Sequence, residues 1–334
     1  MSGATVSRDV KAEFSFAKTG WKLALKFTVI AGISALAGCQ GTFDDLVPKA
    51  ERAVPGKLIT KMKAKSMAFG SPIAIRIFKQ EGDLEVWKQK TNGRFALLKT
   101  YKICKWSGKL GPKIKEGDRQ APEGFYTVKQ HQMNPNSSYY LSFNMGFPNK
   151  FDRSHGRTGT YLMIHGACSS AGCYSMTDEQ IAEIYALARD TFKAGQKSFQ
   201  IQSYPFRMTP KNMFEYRDNP NFAFWRMLKV GYDHFETTKR PPQVEVCGKK
   251  YRFNVASESG KKFSARASCP PLYMRQSTAL AYTKIKMRDD AVFDKLLAKE
   301  EGRSVRDFSN MSVAAALPGI KVVSATDAAK PASE

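Results

Sequence analysis

Followed from its first residue, the chain changes hydrophobic texture several times. Residues 58–69 alternate lysine with apolar positions at helical spacing, which predicts a short amphipathic helix. The spacing then becomes strand-like. Ile73, Ile75 and Ile77 alternate with Ala74, Arg76 and Phe78, giving a strand with one strongly apolar face. Glu81, Gly82 and Asp83 turn the chain into a second strand over 84–89, and Asn92-Gly93 is a hairpin signal leading into a third over 95–103. Further strands are predicted over 125–130, 139–144 and 160–165, between loops rich in glycine and proline, notably 107–124. The period then switches. Thr177 and Gln180 have the spacing of a capping box, and Ile181, Ile184, Tyr185 and Ala188 mark the buried face of the helix that follows. Gly195 ends that helix, and 199–204 returns as a strand. Residues 221–235 form a second amphipathic helix, with Phe222, Trp225, Leu228 and Tyr232 on one stripe.

Together these elements give a mixed α+β fold: a β-dominated, antiparallel domain over 71–210 with flanking helices. Residues 39–70 read as a tether and helix, and 211–310 as a helical accessory region with a basic helix near 280–299. Residues 311–334 are expected to be disordered, having few large apolar groups to pack.

Composition narrows the function. At 334 residues, 42% hydrophobic and 12% aromatic, the chain can build a substantial core. Its 53 Lys and Arg against 30 Asp and Glu give a formal charge of +23, which predicts attraction to polyanions. The charge is spread along the chain, with no zinc-finger spacing and no aromatic RNA-binding motif. Nucleic acid is therefore not the expected partner. A carboxylate-rich polymer or an anionic membrane surface fits better.

The N-terminus bears on location. Lys18, Lys22 and Lys26 precede an apolar run over 27–36, shorter than the roughly 20 residues of a spanning helix. The sequence Leu36-Ala37-Gly38-Cys39 that closes it resembles a bacterial lipobox. That resemblance implies a signal peptide over 1–38, cleavage before Cys39, lipidation of its thiol and attachment to a membrane face in the periplasm. Cys247 and Cys269 flank a strand-like segment, and an oxidising periplasm favours joining them. Cys104, Cys168 and Cys173 remain.

The chemistry concentrates between 161 and 176. A buried strand ends on His165, a loop of small residues follows, and Cys173 stands four residues before the helix cap. The partial positive charge of a helix start would favour thiolate over thiol. A strand end would hold His165 where an imidazole can take and return a proton. Gly172 would let backbone amides approach a developing oxyanion. Cysteine with histidine and no metal is a recurrent nucleophilic pair. A zinc site from His155, His165, Cys168 and Cys173 fails on spacing, so no metal or cofactor is expected. Cys168 lacks an activating neighbour and reads as structural or incidental, and His155 as a surface histidine.

The same residues carry a family resemblance. His165-Gly166 followed by Ser170-Ala171-Gly172-Cys173 resembles the signature of the YkuD-type L,D-transpeptidases, in the subgroup of secreted murein enzymes. The resemblance covers about 70–210 and takes in 104–113, 117–126 and 156–159. It implies an antiparallel β-sandwich, with Cys173 as nucleophile and His165 assisting it. It further implies that the Gly166 carbonyl orients the imidazole while Ser170 and Gly172 shape the site. Members of the family act on peptidoglycan stem peptides. They form a thioester with the third residue, expel the terminal D-alanine and pass the acyl group to an amine. The acceptor is a diaminopimelate amine or an amine of an envelope protein. Two other readings stand beside this one: a hydrolase of the same fold that frees protein from murein, and a non-catalytic wall-binding lipoprotein. Two positions depart from the family pattern, Ala171 where many members have histidine and Ser175 where many have arginine. Arg153, Arg157 and Lys113 are then the candidates to meet a substrate carboxylate.

Overall fold

The structure, a computed structural model, describes residues 47–324. The signal-peptide expectation over 1–38, the lipidation expectation at Cys39 and the last residues, 325–334, lie outside the described residues. The body begins at Ala53.

Helix α1 (Gly56–Ala64) leads into strands β1 (Ile73–Phe78), β2 (Asp83–Gln89), β3 (Phe95–Lys102) and β4 (Lys105–Trp106). Next come β5 (Gly124–Lys129), β6 (Met133–Asn134), β7 (Ser142–Asn144), α2 (Lys150–Ser154), β8 (Met163–His165) and β9 (Tyr174–Ser175). Helix α3 (Asp178–Lys193) and β10 (Ser198–Tyr204) complete this part. The strands form two five-stranded sheets, ordered β3-β2-β1-β10-β5 and β4-β9-β8-β7-β6. Each is antiparallel except for one parallel pair, β1 with β10 and β8 with β9. Side chains join the two layers: Phe143 of β7 meets Phe199 of β10 edge-on at 5.7 Å, and the Tyr174 hydroxyl lies 2.8 Å from Ser203 Oγ. The mixed α+β class and the β-sandwich are thus both present.

The predicted alternation in β1 is absent, since all six of its residues are buried. The second face is covered by helix α5 (Phe222–Thr238). The guanidinium of Arg76 sits 4.6 Å from the ring centres of both Tyr232 and Phe235 and pairs with Glu236 at 2.7 Å. Helix α3 starts as its sequence predicts. Gln180 N–H donates to Thr177 Oγ1 at 3.2 Å and Thr177 N–H to Gln180 Oε1 at 3.1 Å.

The accessory region comprises α4 (Pro210–Glu215), α5 (Phe222–Thr238), the hairpin β11 (Val244–Cys247) and β12 (Lys250–Phe253), β13 (Ala256–Ser257) and β14 (Leu272–Arg275). Helix α6 (Gln276–Glu301), α7 (Val313–Ala316) and β15 (Ile320–Val323) follow. This region shares the core of the sandwich. Phe78, Phe125 and Tyr204 form one buried cluster with Trp225, Leu228 and Tyr251. Trp225 Nε1 donates to Glu123 at 2.8 Å, and Glu123 pairs with Lys79 at 3.0 Å, all three side chains being buried.

The expectation of a disordered tail from 311 fails over the described residues. Ser312 caps α7, Ala316 and Leu317 are buried, and β15 runs parallel to β14. The apolar surface comes from the partner: Leu272, Met274 and Ala279 receive the tail, so its own composition understates its packing. Cys247 is joined to Cys269, and Cys104 to Cys168. Among the described residues Cys173 is the free cysteine.

Candidate active site

A loop of eight residues, 166–173, links the parallel neighbours β8 and β9. Ile164 pairs with Tyr174 and His165 with Ser175. Successive strand residues face opposite sides, so Cys173, one before Tyr174, falls beside Met163 on the face that His165 shares. The contacts agree: Met163 N–H donates to Cys173 Sγ at 3.4 Å, and the thiol donates to the Tyr161 carbonyl at 3.7 Å. A carbonyl accepts hydrogen bonds and repels an anion, so this second contact suits a protonated sulfur.

His165 is buried, and its Nδ1 lies 2.6 Å from the Gly166 carbonyl oxygen. Since that oxygen can only accept, Nδ1 carries the hydrogen, and Nε2 of the neutral ring keeps its lone pair. Gly166 is itself gripped. Its N–H donates to the Tyr139 carbonyl at 3.0 Å, and a Cβ there would come within 2.5 Å of Asp178 Oδ1. The half-exposed Tyr139 ring stands 4.7 Å from the imidazole, tilted by 41°, and walls one side of it.

The loop between them holds strained backbone. Ala167 and Cys168 are both left-handed, with φ of 59° and 50°. Ala167 N–H donates to Asp178 Oδ1 at 2.8 Å, and Cys168 is tied by its disulfide and by an N–H bond to the Met176 carbonyl at 3.2 Å. Beyond it runs a chain of hydrogen bonds with one consistent direction. The Ser170 hydroxyl donates to the Cys173 carbonyl at 2.7 Å, so the Ser107 hydroxyl donates to Ser170 Oγ, also at 2.7 Å. Gly172 N–H in turn donates to Ser107 Oγ at 3.0 Å. The Gly172-Cys173 pair is thereby held on both sides, by the Gly172 amide before it and the Cys173 carbonyl after it. The Gly172 amide is thus engaged by serine, and its φ of 131° gives a second reason for glycine at this position.

The electrostatics correct the sequence reading of Cys173. Burial pushes the Cys173 thiol up from its ordinary value, while the Met163 amide and the Lys113 ammonium pull less strongly the other way. The helix start contributes little because β9 separates Cys173 from α3, whose first turn also carries Asp178 and Glu179. Burial likewise lowers His165 below its ordinary value, against the Gly166 bond.

The three cations offered for a substrate carboxylate are engaged. Lys113 pairs with Asp118, Arg157 with buried Asp152 at 2.9 Å, and Arg153 donates to the Pro148 carbonyl. Ser175 is fully buried and donates to the Lys105 carbonyl at 2.8 Å, while Ala171 is exposed. The exposed Arg119 lies beside the loop instead, its backbone 3.8 Å from where a Gly172 Cβ would stand. Ser107, Arg119 and Tyr139 carry no motif of their own; the first two fall inside segments that resemble the family, which was their one available signal. Among the described residues no three His, Cys, Asp or Glu side chains are placed to hold a metal.

A free thiol just before one strand of a β-sandwich, beside an imidazole at the end of the neighbouring strand, points to a class, and comparison with known families agrees. The model of the YkuD family, described as the L,D-transpeptidase catalytic domain, matches residues 77–194. The chain belongs to this family of L,D-transpeptidase catalytic domains. It is 48% identical over 187 residues to the Escherichia coli (strain K12) protein named "Putative L,D-transpeptidase YafK", covering 56% of this chain and 76% of that one. Among solved structures, the helical cell shape determining protein Pgp2 of Campylobacter jejuni aligns at 19% identity and a TM-score of 0.33. That alignment covers 55% of this chain and 66% of that one, a little under two thirds. Bd1075 of Bdellovibrio bacteriovorus aligns at 24% identity and a TM-score of 0.29, over 41% of this chain and 49% of that one.

Proposed function

We propose that this chain is a cysteine-dependent L,D-transpeptidase of the bacterial envelope, acting on peptidoglycan stem peptides through a thioester on Cys173. The observation that carries the reading is the free, half-buried Cys173 thiol on the strand face of His165, whose Nε2 is left bare by the bond from Nδ1 to Gly166. In this reading Nε2 takes the thiol proton as Sγ bonds to the carbonyl carbon of the third stem residue. The tetrahedral intermediate then collapses, the C–N bond to D-alanine breaks, and the imidazolium returns its proton to the departing amine. An amine of a second stem or of an envelope protein attacks the thioester and regenerates the thiol. Tyr139 and Tyr161, both exposed at the rim, and Arg119 would contact the donor peptide, with Arg119 meeting its carboxylate.

Residence in the periplasm, held by lipid on Cys39, belongs to the same proposal. Two disulfides support it, because they persist in oxidising compartments. The test is intact-protein mass spectrometry after incubation with a tetrapeptide donor, followed by an amine acceptor and analysis of murein fragments. An acyl adduct on Cys173 with release of D-alanine, then transfer to the amine, is expected. Neither adduct nor altered murein fragments would leave the wall-binding lipoprotein standing, and release to water alone would leave the hydrolase.

A further inference from the structure

A cavity of about 550 Å³ opens where the β2–β3 turn, the end of α5, the base of the β11–β12 hairpin and the start of α6 meet. Arg94, Arg240 and Arg275 line it, with Thr238, Asn254 and Thr278 among the polar neighbours, and no carboxylate lines it. Arg240 Nε donates to the Gly93 carbonyl at 3.1 Å. The guanidinium groups of Arg94 and Arg275 have no ion pair or hydrogen bond among the described residues. All three arginines are exposed residues, and no carboxylate stands among them in the cavity to share their charge.

The three cations are brought together by separate elements, each fixed at its backbone. Arg94 N–H is held by Asn92 Oδ1 at 3.1 Å in the hairpin turn, and Arg240 N–H by Thr238 Oγ1 at 3.1 Å. Arg275 immediately precedes α6, whose start has no side-chain cap and no acid in its first turn. Like charges gathered without a counter-charge repel one another, and a bound anion removes that repulsion. A carboxylate offers two oxygens and one charge. A phosphate group offers more acceptors and up to two charges, enough for three guanidinium forks.

We propose that this cavity is a binding site for a phosphate-bearing anion, separate from Cys173 and independent of the reaction proposed there. Arg240 and Arg275 lie outside residues 77–194, so the site needs the accessory region as well as the catalytic sandwich. The shared chemistry is a phosphate with several free oxygens, whether on a small soluble molecule or on a lipid headgroup.

The test is calorimetric titration of the full chain with inorganic pyrophosphate, with soluble dihexanoyl phosphatidic acid and with a stem tetrapeptide, at fixed ionic strength. Saturable 1:1 binding of pyrophosphate is expected. Arg240→Gln and Arg275→Gln should each weaken it by about tenfold or more, the loss of a charge-assisted bond. Arg266→Gln, at an exposed position away from the cavity, should leave it unchanged. Near-UV circular dichroism shows that the variants fold. Phosphatidic acid that competes with pyrophosphate assigns the site to headgroups, and binding of pyrophosphate alone assigns it to soluble phosphates. Absence of saturable binding, equal loss in Arg266→Gln, or preference for the tetrapeptide overturns the proposal.

Discussion

Burial shifts the two central groups in opposite senses: Cys173 keeps its proton to higher pH than a free thiol, and His165 loses its own at lower pH than a free imidazole. Both are therefore neutral across the middle of the pH range. In the acid direction the imidazole must stay deprotonated to act as base, so a lowered value moves that limb of the rate profile down. The acid limb of kcat/KM is accordingly expected below pH 6.5, the ordinary histidine value. Tyr139→Ala would admit water to the ring and move the limb back up; a native limb at or above 6.5 would contradict this account. Cys173→Ala should abolish the acyl adduct, and His165→Ala should slow its formation by roughly a hundredfold. At this scale the sequence is readable where function and local structure coincide, as at a cysteine and a histidine bracketing a loop of small residues. It gives Ser107 no signal beyond its place in a family-like segment and Tyr139 none at all, since they reach Ser170 and His165 from 63 and 26 residues away and leave no periodic trace.

Among the elements, the long ones were legible and the short ones were not. Apolar spacing, turn signals and the capping box predict β1, β2, β3 and α3 closely, because each carries its own signal over several residues. The two-residue strands β4, β6 and β9 are too short for a period to register. Missing β9 is what made the helix start look closer to Cys173 than it is. The Cys104–Cys168 link, closing 64 residues, fastens β4 to the loop that carries Ala167. In the chain-entropy view it is worth on the order of 4 kcal/mol. Cys104→Ser and Cys168→Ser should therefore lose similar stability and similar activity, and the double variant should be no worse than either. Denaturant midpoints and adduct rates measure both, and additive losses would show that the two sulfurs act separately.

Over the whole molecule, the boundary that the sequence draws near 210 divides the texture but not the core. Trp225 reaches Glu123 across it, and Tyr251 meets Phe125 edge-on and stacks on Phe151. Glu123→Ala would strand the buried Lys79 ammonium and should destabilise by roughly 3–5 kcal/mol, read from the urea midpoint. A chain ended after 210 should fail to reach native near-UV dichroism, having lost half of the cluster around Phe78 and Tyr204. A cooperative unfolding transition from that shortened chain would show the catalytic sandwich to be self-sufficient. Packing across a boundary is invisible to pattern because each partner looks, in its own segment, like an ordinary apolar residue.

The connection from β8 to β9 has a further consequence. Parallel neighbours usually need a dozen or more residues between them, and here eight suffice, with left-handed backbone taking up the tension. There is no slack to absorb an error in length. One glycine inserted between Ser169 and Ser170 leaves every side chain present, yet a one-residue slip of β9 turns the sulfur to the opposite side of the sheet. Such a chain should remain folded by dichroism and give no acyl adduct, and a native yield of adduct would show that the loop can bulge instead. In this chain, then, spelling alone does not preserve the site: the number of residues between His165 and Cys173 matters as much as their identity.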